Sequence, residues 1–221
     1  TLFKQWFVDF EFPASLASPL FQGGDREGDG YKSSGGEMVE SELGEIPKGW
    51  RVGTLGEMIN IFDSQRRPLS SIEREKRKGN IPYHGATSIM SYVDDYLFDG
   101  EYVLMGEDGT VTTKDGYPIL QHVWGKFWVN NHAHIFNGKE PYSISYLLCF
   151  LKNTNVSHLV TGAVQPKINQ GNLMNLKSII PSDSLILEFT KRVFQKLELT
   201  KNNTNETQTL TKLRDELLPK L

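Results

Sequence analysis

Two histidines separated by one residue form the group in this sequence that most resembles a catalytic site. His132 and His134 lie in the probable strand 130–134, where alternation would place both imidazoles on one face. Imidazoles that share a face can bind a transition metal. Several carboxylates could complete a hydrolytic centre: Glu101, Glu107, Asp108 and Asp115. No third ligand follows at a recognisable spacing, so the sequence favours two strand histidines that line a groove or core. A metal-dependent hydrolase remains the alternative.

Motifs of other enzyme classes are absent from the sequence. It contains no glycine-rich dinucleotide loop, no P-loop and no Gly-x-Ser-x-Gly elbow. It also lacks the Asn/Asp-Pro-Pro-aromatic motif that methylation of a DNA amino group requires. Cys149 is the single cysteine, which excludes a disulfide framework within the chain and any multi-cysteine metal site. We therefore expect a non-catalytic protein of the reducing cytoplasm, without cofactor or metal.

Two polar segments are better suited to binding than to catalysis. Residues 99–111 predict a strand at 102–105, a turn at 106–109 and a second strand from Thr110, which Thr112 and Lys114 extend. Residues 159–171 predict a polar loop between two apolar segments. Glutamine and asparagine can pair with adenine in the DNA major groove, and lysine can meet guanine or phosphate. The loop carries Gln165, Lys167 and Asn169. An ordinary hairpin and a plain connector remain the alternatives.

The charge of the chain is unevenly distributed. The net charge is −3, which argues mildly against nucleic acid as a partner. Residues 1–45, however, hold nine acidic and three basic residues, so the rest of the chain carries a net charge of +3. Six basic residues lie within residues 66–78: Arg66, Arg67, Arg74, Lys76, Arg77 and Lys78. Such a patch can position a phosphate backbone, or it can be a solvated charged face.

The elements that must position these residues are short. β-Branched and aromatic runs predict strands at 51–55, 58–62, 102–105, 119–123, 127–129 and 134–136. Residues 143–151 predict a buried helix capped by Ser143, and 70–78 predict a loop or short helix. This mixture predicts an α+β body over residues 43–181. An aromatic segment, 1–13, and a glycine-rich mobile linker, 14–42, precede that body.

The segment 182–221 predicts one long helix. No glycine interrupts it, and Ser182 or Asp183 could cap it. Its aliphatic and aromatic residues recur every three or four positions in two blocks, which predicts one apolar seam for pairing with another long helix. The seam consists of Ile186, Phe189, Val193, Leu197, Leu210, Leu213, Leu217 and Leu221. The polar stretch 200–209 between the blocks predicts either a register-setting middle or a break.

Taken in order, several segments resemble the specificity (S) subunit of type I restriction–modification systems. Residues 2–12 (LFKQWFVDFEF) resemble the exit from the central conserved helix of this family. Residues 43–50 (LGEIPKGW) resemble the start of a target recognition domain. Three further segments resemble recurring elements of the target recognition domain: 82–87 (PYHGAT), 99–111 and 162–168 (GAVQPKI). Residues 210–221 (LTKLRDELLPKL) resemble the end of the spacer helix.

This resemblance implies an architecture and a function. The family has two α+β target recognition domains, each reading half of a split DNA target, separated by two long helices that pair as an antiparallel coiled coil. Methyltransferase and restriction subunits supply the catalysis. The present chain would be the C-terminal half, excised from a longer protein, with one recognition domain and one complete helix. We expect double-stranded DNA and methyltransferase subunits as partners, homodimerisation through the helix, and no membrane. A purely structural dimerisation module is a further alternative.

The resemblance also implies the DNA face. It would comprise the loops around 84–87, 107–114 and 161–169, with Gln165 and Lys167 as the leading candidates for contacts. Together with the basic stretch, the predicted DNA-binding residues are Arg66, Arg67, Lys76, Arg77, His84, Thr87, Glu107, Asp108, Thr110, Thr112, Lys114, Gln165, Lys167 and Asn169. Among them, Gln165 would affect base preference, whereas Arg77 would affect mainly the salt dependence.

Overall fold

The computed structural model describes residues 1–17, 29–162 and 164–218 and has the predicted mixed α/β architecture. The strands are β1 (Met38–Val39), β2 (Ile46–Pro47), β3 (Arg51–Thr54), β4 (Ile59–Ile61), β5 (Lys78–His84), β6 (Ile89–Val93), β7 (Phe98–Gly106), β8 (Leu120–Val129), β9 (Ala133–Gly138) and β10 (Lys177–Ile180). The α-helices are α1 (Leu2–Phe7), α2 (Leu55–Met58), α3 (Ser71–Lys76), α4 (Ile144–Lys152), α5 (Gln170–Met174) and α6 (Asp183–Leu217).

Six strands form the main sheet in the order β4-β9-β7-β8-β5-β6. All neighbours are antiparallel except β5 and β8, which run parallel. The sheet curls strongly. Two residues at opposite ends of β8 contact the same residue of β5: Gln121 hydrogen-bonds to the His84 ring, and Val129 pairs with the His84 backbone. Phe98, Leu104 and Phe127 pack together within a buried cluster of the sheet. The curl brings loops from distant parts of the chain to one place.

The predicted hairpin around the turn at 106–109 is wrong. The antiparallel partner of β7 is β8, in register from Phe98 opposite Phe127 to Met105 opposite Leu120. The two strands predicted at 119–123 and 127–129 are this one strand, which passes through Gly125 at φ 74°. Gly109 does adopt the turn conformation, at φ 80°, but its N–H donates to Pro166. The long β7–β8 ladder outcompetes a hairpin from Thr110, so residues 107–119 form a loop.

The N-terminal aromatic residues belong to the main core. Phe7 packs against Phe189 of α6 at 5.1 Å between ring centroids and against Tyr146 of α4 at 5.3 Å. Trp6 lies 5.8 Å from Phe189. Helix α4 begins after Ser143, whose hydroxyl accepts from the Tyr146 N–H as predicted. The start of α6 is thus anchored to the body from two sides.

The described parts of the predicted linker are structured. Residues 14–16 form a 3₁₀ turn, and Pro13 bridges to Gly30. Tyr31 is buried and stacks on Phe12 at 4.7 Å, while β1 pairs with β2. The composition of 14–42 predicts too little apolar surface for a stable structure, but these contacts with aromatic residues outside the segment supply it. The remainder of the predicted linker, 18–28, lies outside the described residues.

Helix α6 runs without interruption from Asp183 to Leu217, with Ser182 as its N-cap residue. The polar stretch does not break it. Thr200 and Thr204 each donate a side-chain hydrogen bond to the carbonyl four residues earlier. These bonds satisfy the hydroxyls within the helix itself. No helix among the described residues is long and apolar enough to cross a membrane.

The single apolar seam predicted for α6 is wrong. Thirteen residues separate Leu197 from Leu210, which at about 100° per residue turns the helix by about 220° beyond three full turns. The two apolar blocks therefore face different directions. Ile186 and Phe189 are buried in the body and Val193 is half-buried, whereas the C-terminal block is exposed. The exposed residues of that block are Leu210, Leu213 and Leu217. Leu221 lies outside the described residues.

Candidate nucleic-acid interface

Four loops meet where the sheet curls. The 107–119 loop and the 161–169 loop contact each other directly, since Asp108 bridges to Lys167 and the Gly109 N–H donates to the Pro166 carbonyl at 3.0 Å. The Glu107 N–H donates to the His132 carbonyl at 2.8 Å, and Asp108 pairs with the His132 ring. The 84–88 loop adjoins through Gly106, where a Cβ would lie 3.6 Å from the Ala86 carbonyl. Three segments implied by the family resemblance thus form one surface.

A group of five ionisable residues, all but Lys167 buried or nearly so, lies at the base of these loops. We call Asp63, Arg66, Glu107, His134 and Lys167 the charged cluster. The Glu107 carboxylate accepts from Arg66 at 2.5 Å and from Lys167 at 3.1 Å. The His134 ring contacts Asp63 at 2.5 Å. The turn after β4, the end of β7, the start of β9 and the 161–169 loop are therefore tied together by charge.

Glu107 is the centre of this cluster and is only 9% exposed. Burial by itself would raise the pKa of its carboxyl group. The hydrogen bond from Arg66, the charge of His134 and the hydrogen bond from Lys167 outweigh burial and hold that pKa below its ordinary value. Glu107 is therefore an ionised structural anchor, which is a different role from the predicted DNA contact.

The geometry does not favour a metal centre. Asp63, Glu107 and His134 offer ligand atoms that all lie within 4.8 Å of one another. Both ring nitrogens of His134 are already engaged, however, by Asp63 and by the Ile168 carbonyl. Arg66 and Lys167 already pair with the Glu107 carboxylate, so a metal ion there would meet two positive charges. His132 is exposed and pairs with Asp108 instead, so the two histidines of the hydrolase alternative do not share one site.

The predicted contact residue His84 is buried and structural. Its Nδ1–H donates to the Gln121 side-chain oxygen at 3.0 Å, and the Gln121 amide donates to the Gly85 carbonyl at 2.9 Å. Burial lowers the pKa of His84, an effect that the bond to Gln121 only partly opposes. The neutral ring fixes the loop at whose exposed end Thr87 lies.

The basic stretch is largely neutralised by its own surroundings. Arg66 belongs to the charged cluster, with its side chain 12% exposed. Arg77 pairs with Asp94 at 2.9 Å and with Asp95 at 3.4 Å, and lies over the Trp128 ring. Arg66 is therefore nearly buried and Arg77 is partly exposed, and both are paired with carboxylates rather than free on a basic face.

Other members of the stretch differ in their environment. Arg74 donates to the Leu69 carbonyl and lies over Tyr83, and Lys78 pairs with Glu75. Arg67 and Lys76 are exposed. Charge alone could not distinguish the two groups, because Glu107, which pairs with Arg66, and Asp94 and Asp95, which pair with Arg77, are distant in sequence.

The loop residues divide in the same way. Thr110, Lys114 and Gln165 are exposed. Thr112 bridges to Pro118, while the Asn169 side chain caps α5 by accepting from the Asn172 N–H. The remaining predicted residues are paired: Asp108 with His132, and Lys167 with Glu107.

Two features were missed from the sequence. Val164, beside Gln165, is 99% exposed and forms part of the loop tip. Asp63 and Gln121 position the loops, and no local pattern marks either of them. A full network of contacts, rather than residue type, gives these side chains their roles.

The polar middle of α6 contacts the sheet of its own domain. Lys201 pairs with Glu101 of β7 at 3.3 Å, and Glu101 also pairs with His122 of β8 at 2.7 Å. The Trp124 ring N–H donates to Asn205 at 3.2 Å. Burial by itself would lower the pKa of Lys201, but hydrogen bonds to Glu198 and Glu101 outweigh it and raise that pKa. Polar contacts thus continue the packing of α6 past Leu197.

Comparison with known proteins is consistent with this arrangement. A putative type I restriction enzyme specificity subunit of Haemophilus influenzae is 39% identical over 137 residues, which cover 62% of this chain and 34% of that protein. The type I restriction enzyme MjaIX specificity subunit of Methanocaldococcus jannaschii is 28% identical over 239 aligned residues, covering 100% of this chain and 50% of that protein. The chain therefore spans half or less of the length of these relatives.

A similar fold occurs in a solved structure. The type I restriction–modification S subunit from M. genitalium superposes with a TM-score of 0.54 at 18% identity, covering 79% of this chain and 47% of that chain. A family model described as the type I restriction modification DNA specificity domain matches residues 47–209. This match extends over most of the α/β body and of α6. The chain belongs to the family of type I restriction–modification DNA specificity domains.

Proposed function

We propose that this chain recognises one half of a bipartite DNA target as part of a type I restriction–modification complex. In this proposal it supplies sequence choice, docks methyltransferase subunits and, through them, meets the restriction subunit. It performs no catalysis itself. Family membership supports the general role, and the finer assignments rest on the loop surface described above.

One observation carries the proposal: exposed polar side chains project from loops that are fixed from below. Gln165 lies at an exposed tip, and the loop that carries it is closed at its base by two 2.8 Å hydrogen bonds between Thr161 and Lys167. Thr110 and Lys114 are exposed on the neighbouring loop. Rigid support reduces the ordering cost of binding, and amide side chains can read base edges. Arg67 would contribute a phosphate contact.

Reconstitution tests this function directly. The chain is assembled with the methyltransferase subunits of its own system, and methylation is measured on a library of duplexes with randomised sequence. We expect methylation at a defined sequence. Methylation that is independent of this chain, or without sequence preference, would exclude the proposal and leave a structural dimerisation module as the better description.

A matched pair of variants locates the reading surface. Gln165→Ala should relax the preference at one base pair by about 5-fold to 150-fold, because a bidentate base contact is worth about 1–3 kcal/mol. Asn153→Ala removes an exposed amide outside the loop surface and serves as the control. Equal methylation profiles for the two variants would show that Gln165 reads no base.

We further infer that the C-terminal half of α6 pairs antiparallel with the same helix of a second copy. Leu199, Leu210, Leu213 and Leu217 are 47–81% exposed, and their spacing places them on one side of the helix. The chain also spans 50% of the length of its M. jannaschii relative, so two copies would match one full-length subunit. Light scattering over a concentration series should show a dimer, and a strict monomer at high concentration would refute the pairing.

A further inference from the structure

His134 lies completely buried with a hydrogen-bond acceptor at each ring nitrogen. Its Nδ1 is 2.5 Å from the Asp63 carboxylate, and its Nε2 is 2.8 Å from the Ile168 carbonyl oxygen. A neutral imidazole has one N–H and can donate to only one of these acceptors, whereas an imidazolium donates to both. The Ile168 carbonyl cannot act as a donor. The protonation state therefore depends on Asp63.

The Asp63 side chain is placed to accept at both of its oxygens. Its Oδ1 accepts from the Ile135 N–H at 3.0 Å, and its Oδ2 lies 3.5 Å from the Arg66 guanidinium. Neither of these neighbours can accept a hydrogen bond from Asp63. With Asp63 as the acceptor, the hydrogen bond at Nδ1 must come from the ring.

The charges around the ring fit a cation. The turn after β4 contributes Asp63 and Arg66, and the end of β7 contributes Glu107, whose carboxylate is 3.7 Å from Nδ1. The 161–169 loop contributes Lys167. Of these groups, the two carboxylates contact the ring, while Arg66 and Lys167 pair with Glu107. A positive imidazole is thus flanked by two negative groups inside the protein.

We propose that His134 is a positioning residue that donates from both ring nitrogens and thereby fixes the 161–169 loop. Its Nε2–H holds the Ile168 carbonyl, while the Ile168 N–H donates to the Glu107 carbonyl at 2.9 Å. Loss of one of the two N–H protons of His134 removes one of its two hydrogen bonds. The loop that presents Gln165 is then less firmly held. The consequence for DNA reading rests on the proposed function, whereas the protonation state and the loop tether do not.

Nitrogen-15 NMR of the histidine side chains in the full chain tests the protonation state. The chain has five histidines, and His134→Gln identifies the His134 signal by its disappearance. At pH 7.5 we expect protons on both ring nitrogens of His134. A His134 ring with one unprotonated nitrogen at pH 7.5 would overturn the proposal. If His134→Gln does not fold, the His134 side-chain signal is assigned in the wild-type protein by through-bond NMR correlation to the His134 backbone.

Amide hydrogen exchange tests the tether. In His134→Gln, exchange of the Lys167 and Ile168 amides should accelerate at least tenfold at pH 7.5 after correction for intrinsic rates. His158→Gln, at an exposed position, should leave both rates unchanged. Equal exchange rates in the two variants would refute the tether. Neither measurement uses DNA, so a failure of the methylation assay would count against the proposed function alone.

Discussion

Glu107→Gln should destabilise the protein strongly at neutral pH and much less in acid. The Glu107 carboxylate is contacted by Arg66, whose side chain is 12% exposed, and by Lys167, whose side chain is 46% exposed. Glutamine has nearly the same shape but carries no charge. The substitution therefore isolates the electrostatic contribution of Glu107 to the charged cluster.

The expected magnitude follows from these exposures. Leaving one charge of a buried pair without its partner costs about 3–5 kcal/mol, whereas an exposed pair is worth about 0–1 kcal/mol. The glutamine oxygen can still accept one hydrogen bond, which recovers about 1 kcal/mol. We expect a loss of about 3 kcal/mol in the free energy of unfolding, or a shift of about 1–2 M in the urea midpoint.

The pH dependence gives a second, independent check. Because the pKa of Glu107 is lowered in the folded protein, its stabilisation is fully present above the unfolded pKa of about 4.3 and is lost as pH falls through the lower folded value. The difference between wild type and variant should therefore be constant from pH 6 to 8 and shrink below about pH 4. The variant itself has no such carboxyl group to protonate.

Urea titrations at several pH values provide the assay, and Glu75→Gln provides the matched control. Glu75 pairs with Lys78 on the surface, with both side chains more than 70% exposed, so its replacement should cost less than about 1 kcal/mol. The reasoning about the cluster fails if Glu107→Gln behaves like this control. It also fails if the difference from wild type is unchanged at pH 3.5.

Three further predictions concern other parts of the molecule. Phe189→Ala should lower the free energy of unfolding by about 3–5 kcal/mol in denaturant titrations, since Phe189 is fully buried between α1 and α4; a loss below about 1 kcal/mol would mean that α6 is not anchored there. In the reconstituted complex, Arg67→Gln should reduce the salt dependence of DNA binding by about one counterion, whereas Arg77→Gln should leave that slope unchanged; the opposite pattern would restore the free basic face predicted from the sequence. Leu213→Ser should shift light scattering towards the monomer, and an unchanged mass would exclude this face from the dimer contact.

The success of the sequence predictions differed between elements. Helix α4 and its cap at Ser143 were predicted because periodicity and capping are local properties. The strand partner of β7 was mispredicted, because Asp108-Gly109 is a genuine turn signal whose hairpin loses to the longer pairing with β8. The residues next to Gly109 determine its backbone conformation. The strand that pairs with β7 is determined by residues more than ten positions away.

The candidate site shows the same division. The polar loop at 161–169 was predicted from the residues, whereas the loops around 84–87 and 107–114 were implied by the family resemblance. The fold brings all three together. The sequence also suggested that Arg66 and Arg77 would be available to phosphate. Both are held by carboxylates or aromatic rings from other elements. Residue type gives the charge of a side chain, but its availability depends on neighbours that only folding supplies.

By itself, the sequence determined the mixed α/β class, the helical character of α6 and the polar loop at 161–169, because each follows from propensities and spacing over a few neighbouring residues. Only the tertiary structure decided which charged groups are buried anchors and which face solvent. Asp63 and His134 are 71 residues apart, and Arg66 and Glu107 are 41 apart, yet they form one cluster. Electrostatic interactions depend on distance in space and on exclusion of water, and the curl of the sheet sets both.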